Sequence, residues 1–478
     1  MPPLPWLEVL AALYVVWVVG ASLTLLTQRR SPTATLAWIF AFAALPVVSG
    51  IYYVVFGPRR LKRRKVRYGS ARAALAGEVR TYLRDSCCQV PPPLSPDAAA
   101  VAGVIERLGQ GGPTTATSVD ILADGDACLD ALERDIGEAR DHVHAEYYIW
   151  EPDRVGRRIR DALAAAARRG VQVRVLFDAL GSPDADRAFW EPLVAAGGRA
   201  LAFNPVRLSV ASLNFANFRT HRKIVVVDGA IGFVGGNNLH EAVSGERAWR
   251  DVHARIVGEP VRRLQRLVLE NWIYSGGEVK GDLEAVRRFF PPAAVAQGQP
   301  VQVVASGPDD EDAPLHAFFL AALASARARA WIQTPYLIPD ESLESALRVA
   351  VLRGVDVQVI VPREGDSRLV SAASRTYCEA LVRAGVRVFE YGPAMLHAKT
   401  MVIDDTVAVV GTANMDNRSF RLNFEVAAAF YGGAVIAELA QRFELDRARS
   451  ADFRRRRREG SRLAALLESL ARLSSPVL

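Results

Sequence analysis

The stretch Leu396–Phe420, LHAKTMVIDDTVAVVGTANMDNRSF, decides the organisation of the chain because Thr220–Leu239, THRKIVVVDGAIGFVGGNNL, repeats its pattern. In each stretch a His is followed by a Lys two residues later, an Asp seven later, a Gly fourteen later and an Asn seventeen later. The chain has 59 Lys and Arg residues, of which five are Lys, yet a Lys occupies the same position in both copies. Most positive positions in this chain are Arg, so the repeated Lys indicates a requirement for an ammonium group.

The spacing within each copy predicts a β-hairpin. Residues 223–228 and 399–404 are rich in β-branched side chains, which favour strands, and the residues that follow are typical of tight turns. Side chains two residues apart on a strand share a face, so the His and Lys of each copy should point the same way. The motif Asp has the opposite parity, so we expect Asp228 and Asp404 to be structural rather than part of the reacting centre.

The two hairpins belong to a longer internal duplication. The phrase RRGVQVRVL aligns with LRGVDVQVI, so that Gly170 matches Gly354, and each copy also has a strand-like segment followed by an amphipathic helix. Strand–helix–strand order predicts an α/β fold in which mixed sheets are flanked by helices. The sequence therefore predicts two tandem α/β domains.

Composition places the boundaries of these domains at residues 117–277 and 278–445. Residues 68–116 are basic and rich in Pro and Gly, and we expect a linker with one helix there. Residues 446–478 include five consecutive Arg residues followed by Leu residues at helical spacing, which predicts a basic C-terminal helix.

Two uncharged apolar runs predict a membrane anchor within residues 1–67. Val9–Leu26 has 18 residues without a charge and Ala34–Phe56 has 23, with Pro46 as an expected kink, so each run is long enough to cross a bilayer. A cleaved signal peptide does not fit, because no basic segment precedes the first run and a second run follows at once. Two Arg residues lie between the runs and seven basic residues follow the second. This asymmetry predicts a multi-pass protein of the cell (inner) membrane with both α/β domains on the cytoplasmic side.

Charge and cysteine content narrow the classes of partner and cofactor. The net charge of +7 indicates an anionic partner, either phospholipid or nucleic acid. The four cysteines form no C-x-x-C pair and no spacing typical of a metal site. The sequence therefore predicts neither a metal nor another cofactor.

The duplicated motif resembles the signature of the phospholipase D superfamily. Within that superfamily, SPTATLAWIFAFAALPVVSGIYYVVFG (residues 31–57) and EYYIWEPDRVGRRIRDALAAAARRGVQVRVLFDALGS (residues 146–182) are similar to bacterial cardiolipin synthases. The resemblance extends from about residue 36 to the C-terminus. It implies two phospholipase D-like domains that face each other across a pseudo-twofold axis and build one active site.

The residue types of the motif suit phosphodiester chemistry. Displacement at phosphorus requires a nucleophile, an acid for the leaving alkoxide and cations on the non-bridging oxygens, which two imidazoles and two ammonium groups can supply. The implied catalytic set is His221, Lys223, Asp228, His397, Lys399 and Asp404. By resemblance His221 is the nucleophile and His397 the acid and base, although the symmetric pattern itself does not distinguish them.

Further residues are expected to support this set or bind substrate: Asn238, Asn414, Glu425, Asp251, Gly235 and Gly411. Asp251 and Glu425 follow their motif His by 30 and 28 residues, and the resemblance implies that such an acid hydrogen-bonds a catalytic His. A surface or strand-end acid is the alternative. The Asn side chains are expected to bind phosphate or order the loop. The Gly residues are expected either to let backbone approach the phosphate or to satisfy a turn.

The resemblance implies an enzyme that transfers a phosphatidyl group between two phosphatidylglycerol molecules through a phosphohistidine, giving cardiolipin and glycerol. The implied partners are phosphatidylglycerol and the membrane, without nucleic acid. Two alternatives remain open. A phospholipase D would pass the same group to water, since the sequence does not display how water is excluded. A membrane-anchored nuclease would use the basic segments, but Arg454–Arg458 lacks the aromatic residues on which bases stack.

Overall fold

The computed structural model describes residues 5–27, 32–56, 92–205, 218–279, 286–292 and 297–453. The N-terminal part forms helices α1 (Pro5–Leu26), α2 (Pro32–Ala44) and α3 (Pro46–Phe56). Among the described helices, α1 alone is long and apolar enough to cross a membrane. The second predicted span is divided between α2 and α3, because Pro46 has no N–H to continue the helical hydrogen bonds. A pair of membrane-spanning helices is therefore not confirmed.

The first repeat follows helix α4 (Pro96–Arg107), which begins with a Ser95 cap on the backbone N–H of Ala98. Its strands are β1 (Thr114–Leu122), β2 (His142–Tyr147), β3 (Gln172–Asp178), β4 (Arg199–Phe203), β5 (Ile224–Val227), β6 (Ile231–Gly235) and β7 (His253–Gly258). Its helices are α5 (Gly125–Glu138), α6 (Arg154–Arg168), α7 (Arg187–Ala195) and α8 (Pro260–Tyr274), with a short 3-10 helix at Glu241–Val243.

The second repeat has the same order of main elements, with three additional short strands. Its strands are β8 (Gln299–Ser306), β9 (Arg329–Gln333), β10 (Leu337–Ile338), β11 (Asp356–Pro362), β12 (Arg387–Tyr391), β13 (Thr400–Ile403), β14 (Val407–Gly411), β15 (Met415–Asp416), β16 (Glu425–Tyr431) and β17 (Ser450–Asp452). Its helices are α9 (Pro314–Ser325), α10 (Glu341–Leu352), α11 (Arg368–Arg383), α12 (Asn417–Arg421) and α13 (Ala434–Ala448). Asp153 caps α6 and Asp340 caps α10, so corresponding helices begin in the same way.

The two repeats form one continuous mixed sheet of 15 strands, in the order β17-β12-β11-β9-β13-β14-β16-β8-β1-β7-β6-β5-β2-β3-β4. In repeat one, β2, β3 and β4 are parallel and the remaining pairs are antiparallel; repeat two has the same pattern in β9, β11 and β12. The antiparallel pair β1–β8 joins the halves. The predicted α/β duplication is therefore present, with both sheets merged into one.

Buried apolar side chains form a core in each repeat and a third core across their junction. The junction core contains Val234 and Leu264 of repeat one beside Val410 and Phe443 of repeat two. Because helices cover the sheet, several of its central strands, among them β2, β13 and β16, are buried along their whole length, as in other α/β proteins. This shared core fixes the position of one motif copy relative to the other.

The structure shifts two of the predicted boundaries. Strand β1 starts inside the predicted linker 68–116, and α4 in the same segment buries its apolar face in the core of repeat two. Helix α13 crosses the predicted boundary at 445, and β17 pairs with β12, so repeat two extends beyond 445 to β17. Helix α13 continues past 445 because Asp446 is buried in an ion pair with Arg250 of repeat one. The Arg-rich part of the predicted C-terminal helix lies outside the described residues.

Candidate active site

Two hairpins, β5–β6 and β13–β14, carry the motif copies. Their turns start at Asp228 and Asp404, whose φ angles of 52° and 48° lie in the left-handed region that Asp tolerates better than most residues. The Asp228 carboxylate accepts hydrogen bonds from the backbone N–H groups of residues 140–142 at 2.8 to 2.9 Å. The Asp404 carboxylate accepts from residues 327–329 at 2.8 Å. Both carboxylates therefore tie their hairpin to the neighbouring strand, as the strand parity predicts.

The imidazoles of His221 and His397 line one cavity of about 360 Å³. Each residue is largely buried, with 8% and 6% of its surface exposed. The motif amides Asn238 and Asn414 line the same cavity. Folding therefore brings two sequence segments that are 176 residues apart to a single site.

Each imidazole is held by a carboxylate from the other repeat. His221 Nδ1 lies 3.0 Å from the Glu425 carboxylate, and His397 Nδ1 lies 2.6 Å from Asp251 Oδ2. Both Nδ1 atoms are thus occupied, which leaves Nε2 of each ring as the nitrogen available to the cavity. The predicted contact between an acid and a motif His is present in both halves, but it crosses from one repeat to the other.

Backbone hydrogen bonds hold this exchange in place. The His221 N–H donates to the Phe424 carbonyl at 2.9 Å, and the His397 N–H donates to the Arg250 carbonyl at 2.8 Å. Phe424 directly precedes Glu425, and Arg250 directly precedes Asp251. In both halves, therefore, the residue before the acid is hydrogen-bonded to the backbone of the motif His. This hydrogen bond places the acid beside the imidazole.

The motif lysines lie within the protein beside their own His residues. Lys223 Nζ donates to the His221 carbonyl at 2.7 Å, and Lys399 Nζ donates to the His397 carbonyl. Lys223 Nζ also lies 5.4 Å from the centroid of the Tyr148 ring. Each ammonium group is thus fixed at the backbone of the motif His in its own repeat.

Comparison with known proteins places this site in a family. A family model described as "Cardiolipin synthase, PLD-like domain" matches residues 132–249 and 319–447, which include both hairpins. Cardiolipin synthase 1 of Bacillus cereus is 35% identical over 98% of this chain and 93% of its own length. Cardiolipin synthase of Geobacillus kaustophilus is 36% identical over 96% of this chain and 92% of its own.

The chain belongs to the cardiolipin synthase family. It is accordingly a phosphatidyltransferase of the phospholipase D superfamily, and the expected duplication of a phospholipase D-like domain is confirmed. The crystal structure of phosphatidylserine synthase of Haemophilus influenzae has a TM-score of 0.59 with this chain at 16% identity, covering 78% of this chain and all of the other. That similarity shows that the two proteins share a fold.

The electrostatics of this cardiolipin synthase-type site are dominated by burial. Burial, together with the two ammonium groups, lowers the pKa of His221 well below its usual value and the pKa of His397 to about 3. Burial also lowers the pKa of Lys223 to about 7 and that of Lys399 to about 8. The imidazoles are therefore neutral near pH 7, whereas unperturbed histidines would be partly protonated.

The two carboxylates differ in their tendency to ionise. Burial raises the pKa of Glu425 to about 7, against the opposing attraction of the Lys223 ammonium. Burial acts on Asp251 in the same sense, but Lys399 and His397 outweigh it and the pKa of Asp251 is lowered. Asp251 is thus the more stable anion of the two, and it faces His397.

Sequence reasoning missed the aromatic lining of the site. The Tyr148 ring contacts His221 at 5.0 Å between centroids, and the Trp249 ring contacts His397 at 5.1 Å. Trp249 is two residues from Asp251, so the position of that acid could have identified it. Other lining residues were not singled out from the sequence: Ile149, Tyr336, Asp366, Val370, Asp416, Arg418 and Asn423.

The motif glycines are required by packing between strands. A Cβ at Gly235 would lie 2.5 Å from the Val252 carbonyl, and one at Gly411 would lie 2.7 Å from the Ala427 side chain. This packing explains both glycines without either of the predicted roles, access of backbone to the phosphate or a turn. The close approach of the next strand excludes a larger residue at both positions.

The motif amides have different surroundings. Asn238 Oδ1 accepts a hydrogen bond from the Ile149 N–H at 3.2 Å, so this side chain orders the loop after β2. Asn414 Oδ1 is buried and has no hydrogen-bond partner in the described part of the chain. The Asn414 amide is therefore the one suited to accept a hydrogen bond from substrate.

Proposed function

We propose that this chain condenses two phosphatidylglycerol molecules into cardiolipin and glycerol at the cavity between its repeats. The observation that carries the proposal is the shared cavity, in which His221 and His397 each keep Nε2 available while a carboxylate holds Nδ1. Two opposed imidazoles can act on one phosphorus atom as nucleophile and as acid. Membership of the cardiolipin synthase family supports this reaction and this lipid.

The reaction proceeds in two displacements at phosphorus. His221 Nε2 forms a bond to the phosphorus of the first lipid, the bond to the glycerol headgroup breaks, and His397 gives a proton to the departing alkoxide. His397 then removes the proton from a headgroup hydroxyl of the second lipid, whose oxygen displaces His221 and forms cardiolipin. The protein ends in its starting state, and no proton is gained or lost overall.

The unequal carboxylates support these roles for the two imidazoles. The anion of Asp251 stabilises a proton on His397, as an acid and base requires, whereas Glu425 is partly protonated near pH 7 and leaves His221 neutral. A bound lipid phosphate adds a negative charge near Lys223 and Lys399, which raises the pKa of His397 from its low value. Binding of substrate therefore favours protonation of His397.

The two ammonium groups are proposed to stabilise the non-bridging oxygens. They are fixed by the carbonyls of His221 and His397, so little reorganisation is needed when charge develops on phosphorus. Asn414 lines the same cavity, and its Oδ1, which has no hydrogen-bond partner in the described part of the chain, is proposed to accept a hydrogen bond from a glycerol hydroxyl.

Product analysis tests the reaction. The full-length protein is incubated with phosphatidylglycerol vesicles, and the lipids and water-soluble products are identified by mass spectrometry. Cardiolipin with an equal amount of glycerol supports the proposal. Phosphatidic acid with glycerol, without cardiolipin, would instead show that water is the acceptor.

Trapping tests the division of labour between the imidazoles. His397→Ala should accumulate a phosphatidyl group on His221, because attack can proceed slowly without an acid but transfer to the second lipid lacks a base. His221→Ala should form no covalent lipid. Substantial cardiolipin synthesis by both variants would show that the two motif copies do not share one reaction.

We further propose that α2 and α3 together make a second membrane crossing, which leaves the repeats on the cytoplasmic side. Trp38 and Phe42 of α2 contact Tyr53 of α3 at 5.2 and 5.3 Å, and Phe42 also contacts Trp17 of α1 at 5.9 Å, so the three helices pack together. The basic residues that follow the second run support this orientation. Labelling of single introduced cysteines in intact cells tests it, and periplasmic labelling of the repeats would overturn it.

A further inference from the structure

Repeat one has a basic cavity at the end of the sheet remote from the catalytic site. Arg174 of β3 and Arg199 of β4 are paired across the two strands, and they line a cavity of about 240 Å³ with Gln172 and Glu278. These residues lie near the N-terminal ends of the parallel strands. The catalytic cavity lies at the other end, where Tyr148 follows β2.

The Arg174 guanidinium contacts no carboxylate in the described part of the chain, and its Cζ lies 5.1 Å from the centroid of the Phe289 ring. The residue is 9% exposed; its Nη1 donates to His144 Nε2 at 2.8 Å and to Gln172 Oε1 at 3.3 Å. Both acceptors are uncharged, since burial lowers the pKa of His144 well below its usual value. In the described part of the chain Arg174 Nε has no hydrogen-bond partner, and Arg199 forms no ion pair. The guanidinium groups of Arg219, Arg250 and Arg255 each contact a carboxylate. Those of Arg174 and the buried Arg222 donate to uncharged acceptors, which for Arg222 include the carbonyls of Glu425 and Ser306.

The corresponding strands of repeat two, β11 and β12, can be compared with β3 and β4 at these positions. By alignment and strand register, Gln172 corresponds to Asp356, Arg174 to Gln358 and Arg199 to Arg387. The Asp356 carboxylate accepts a hydrogen bond from Gln358 Nε2 at 2.6 Å and forms an ion pair with Arg387. Repeat two thus has one cation and one anion here, in contact with each other. Repeat one has two cations, and an amide replaces the anion.

The acids near Arg174 and Arg199 do not take the place that Asp356 has in repeat two. Asp141 is engaged by Arg288 and by His142 Nδ1. Glu278 lines the cavity, but among the described residues no ion pair joins it to Arg174 or Arg199. Two guanidinium groups on adjacent strands are therefore left facing a cavity without a contacting anion.

We propose that the cavity bounded by Arg174 and Arg199 binds a phosphate group from outside the protein. A guanidinium presents paired N–H donors that match two oxygens of a tetrahedral oxyanion, and two such forks can hold one phosphate. The ligand takes the place that Asp356 fills in repeat two. A lipid headgroup and free phosphate share this chemistry. The site is separate from the reacting histidines and does not depend on the proposed reaction.

Calorimetric titration of the full-length protein in detergent with inorganic phosphate, at constant ionic strength, tests the site. Arg199→Gln alters an exposed residue and should weaken one binding event at least about tenfold. Gln172→Asp supplies the carboxylate that repeat two already has and should abolish the same event. Arg387→Gln, at the matched position of repeat two, should bind phosphate as the unaltered protein does.

Binding of phosphate by Arg199→Gln and Gln172→Asp with unaltered affinity would overturn the proposal. A second titration with monomeric dihexanoyl phosphatidylglycerol separates the sources. Arg199-dependent binding tighter than that of inorganic phosphate assigns a lipid headgroup, and Arg199-dependent binding of inorganic phosphate alone assigns free phosphate. Any binding at the catalytic cavity persists in every variant, as does phosphatidyl transfer, so failure of the proposed reaction would be seen separately.

Discussion

A carboxylate on Nδ1 determines what the other nitrogen of an imidazole can do. The Glu425 oxygens also accept hydrogen bonds from the Thr412 hydroxyl and Asn423 Nδ2, so His221 is only one of several donors to that acid. The Asp251 carboxylate accepts from the Val252 N–H at 2.7 Å and from His397. The two imidazoles thus have equivalent positions, but the carboxylates that contact them have different hydrogen-bond partners.

This inequality predicts different effects of the two isosteric amides. Asp251→Asn should lower kcat by about a thousandfold, because an amide cannot stabilise the imidazolium of His397. Glu425→Gln should lower kcat by about tenfold, since the pKa of Glu425 is already raised to about 7 and its charge is incomplete at neutral pH. Initial rates on phosphatidylglycerol micelles measure both, with Glu438→Gln on the surface of α13 as the control. Equal losses in the two variants would contradict the assigned roles.

The motif lysines predict the alkaline limb of the pH profile. Their ammonium groups stabilise phosphate only when protonated, and burial lowers the pKa of Lys223 to about 7 and that of Lys399 to about 8. The charge is therefore present below these values and is lost as the pH rises through them. We expect kcat/KM, which reports the free enzyme, to fall between pH 7 and 9. Lys399→Arg should be slower but lose less activity over this range, because its guanidinium stays charged; a flat profile for the unaltered enzyme would exclude the mechanism.

At the scale of elements, each hairpin depends on one carboxylate at its turn. Three backbone N–H groups converge on Asp404 and three on Asp228, and both residues have left-handed backbone. Each turn thus requires an Asp both for its carboxylate and for its tolerance of the left-handed backbone conformation. The hairpin that carries His397 is anchored through Asp404 to the strand beside it.

Replacing this carboxylate should destabilise the fold. Asp404→Ala loses three hydrogen bonds and places Ala in the left-handed region, so the free energy of unfolding should fall by about 2 to 4 kcal/mol. Asp404→Asn keeps one acceptor oxygen and should cost less. The neighbouring Asp405 has a 92% exposed side chain, and Asp405→Ala is the matched control. Urea unfolding measures all three, and equal midpoints for Asp404→Ala and Asp405→Ala would refute the anchoring role.

Elements with a regular pattern were predictable from the sequence, and their pairing across the molecule was not. The spacing around Lys223 and Lys399 identified both hairpins, because strand parity is a local property. Sequence spacing also predicted that Asp251 and Glu425 contact a motif His. It could not predict that each acid contacts the His of the other repeat, because distance along the chain does not show how the repeats face each other. The second apolar run has the composition of a spanning helix, and only the missing N–H of Pro46 divides it.

At the scale of the whole molecule, the repeats are joined by more than the sheet. The Arg250 Nε donates to both oxygens of Asp446 at 2.7 and 2.9 Å, and Gln333 Nε2 donates to Asp446 Oδ2 at 2.9 Å. Arg250 belongs to repeat one and Asp446 to helix α13 of repeat two. The same Arg250 accepts the His397 N–H through its carbonyl, so this contact between repeats also positions a motif His.

Breaking this ion pair should reduce stability and activity together. Arg250→Gln leaves Asp446 as a buried charge, with 2% of its side chain exposed, and should lower the free energy of unfolding by about 3 to 5 kcal/mol. Glu444→Gln removes the more exposed Arg447 pair on the same helix and should cost about 1 kcal/mol or less. Thermal unfolding with parallel rate measurements compares them. Similar stability of the two variants would show that the contact between repeats is dispensable.

The crossing of Asp251 to His397 and of Glu425 to His221 has a consequence for ancestry. A polypeptide with one copy of the motif would possess an imidazole and an acid that cannot meet each other within the same subunit. It could build this centre only by self-association about a twofold axis. Gene duplication and fusion would then turn a symmetric homodimer into one chain, in which the two acids became free to diverge into Asp and Glu.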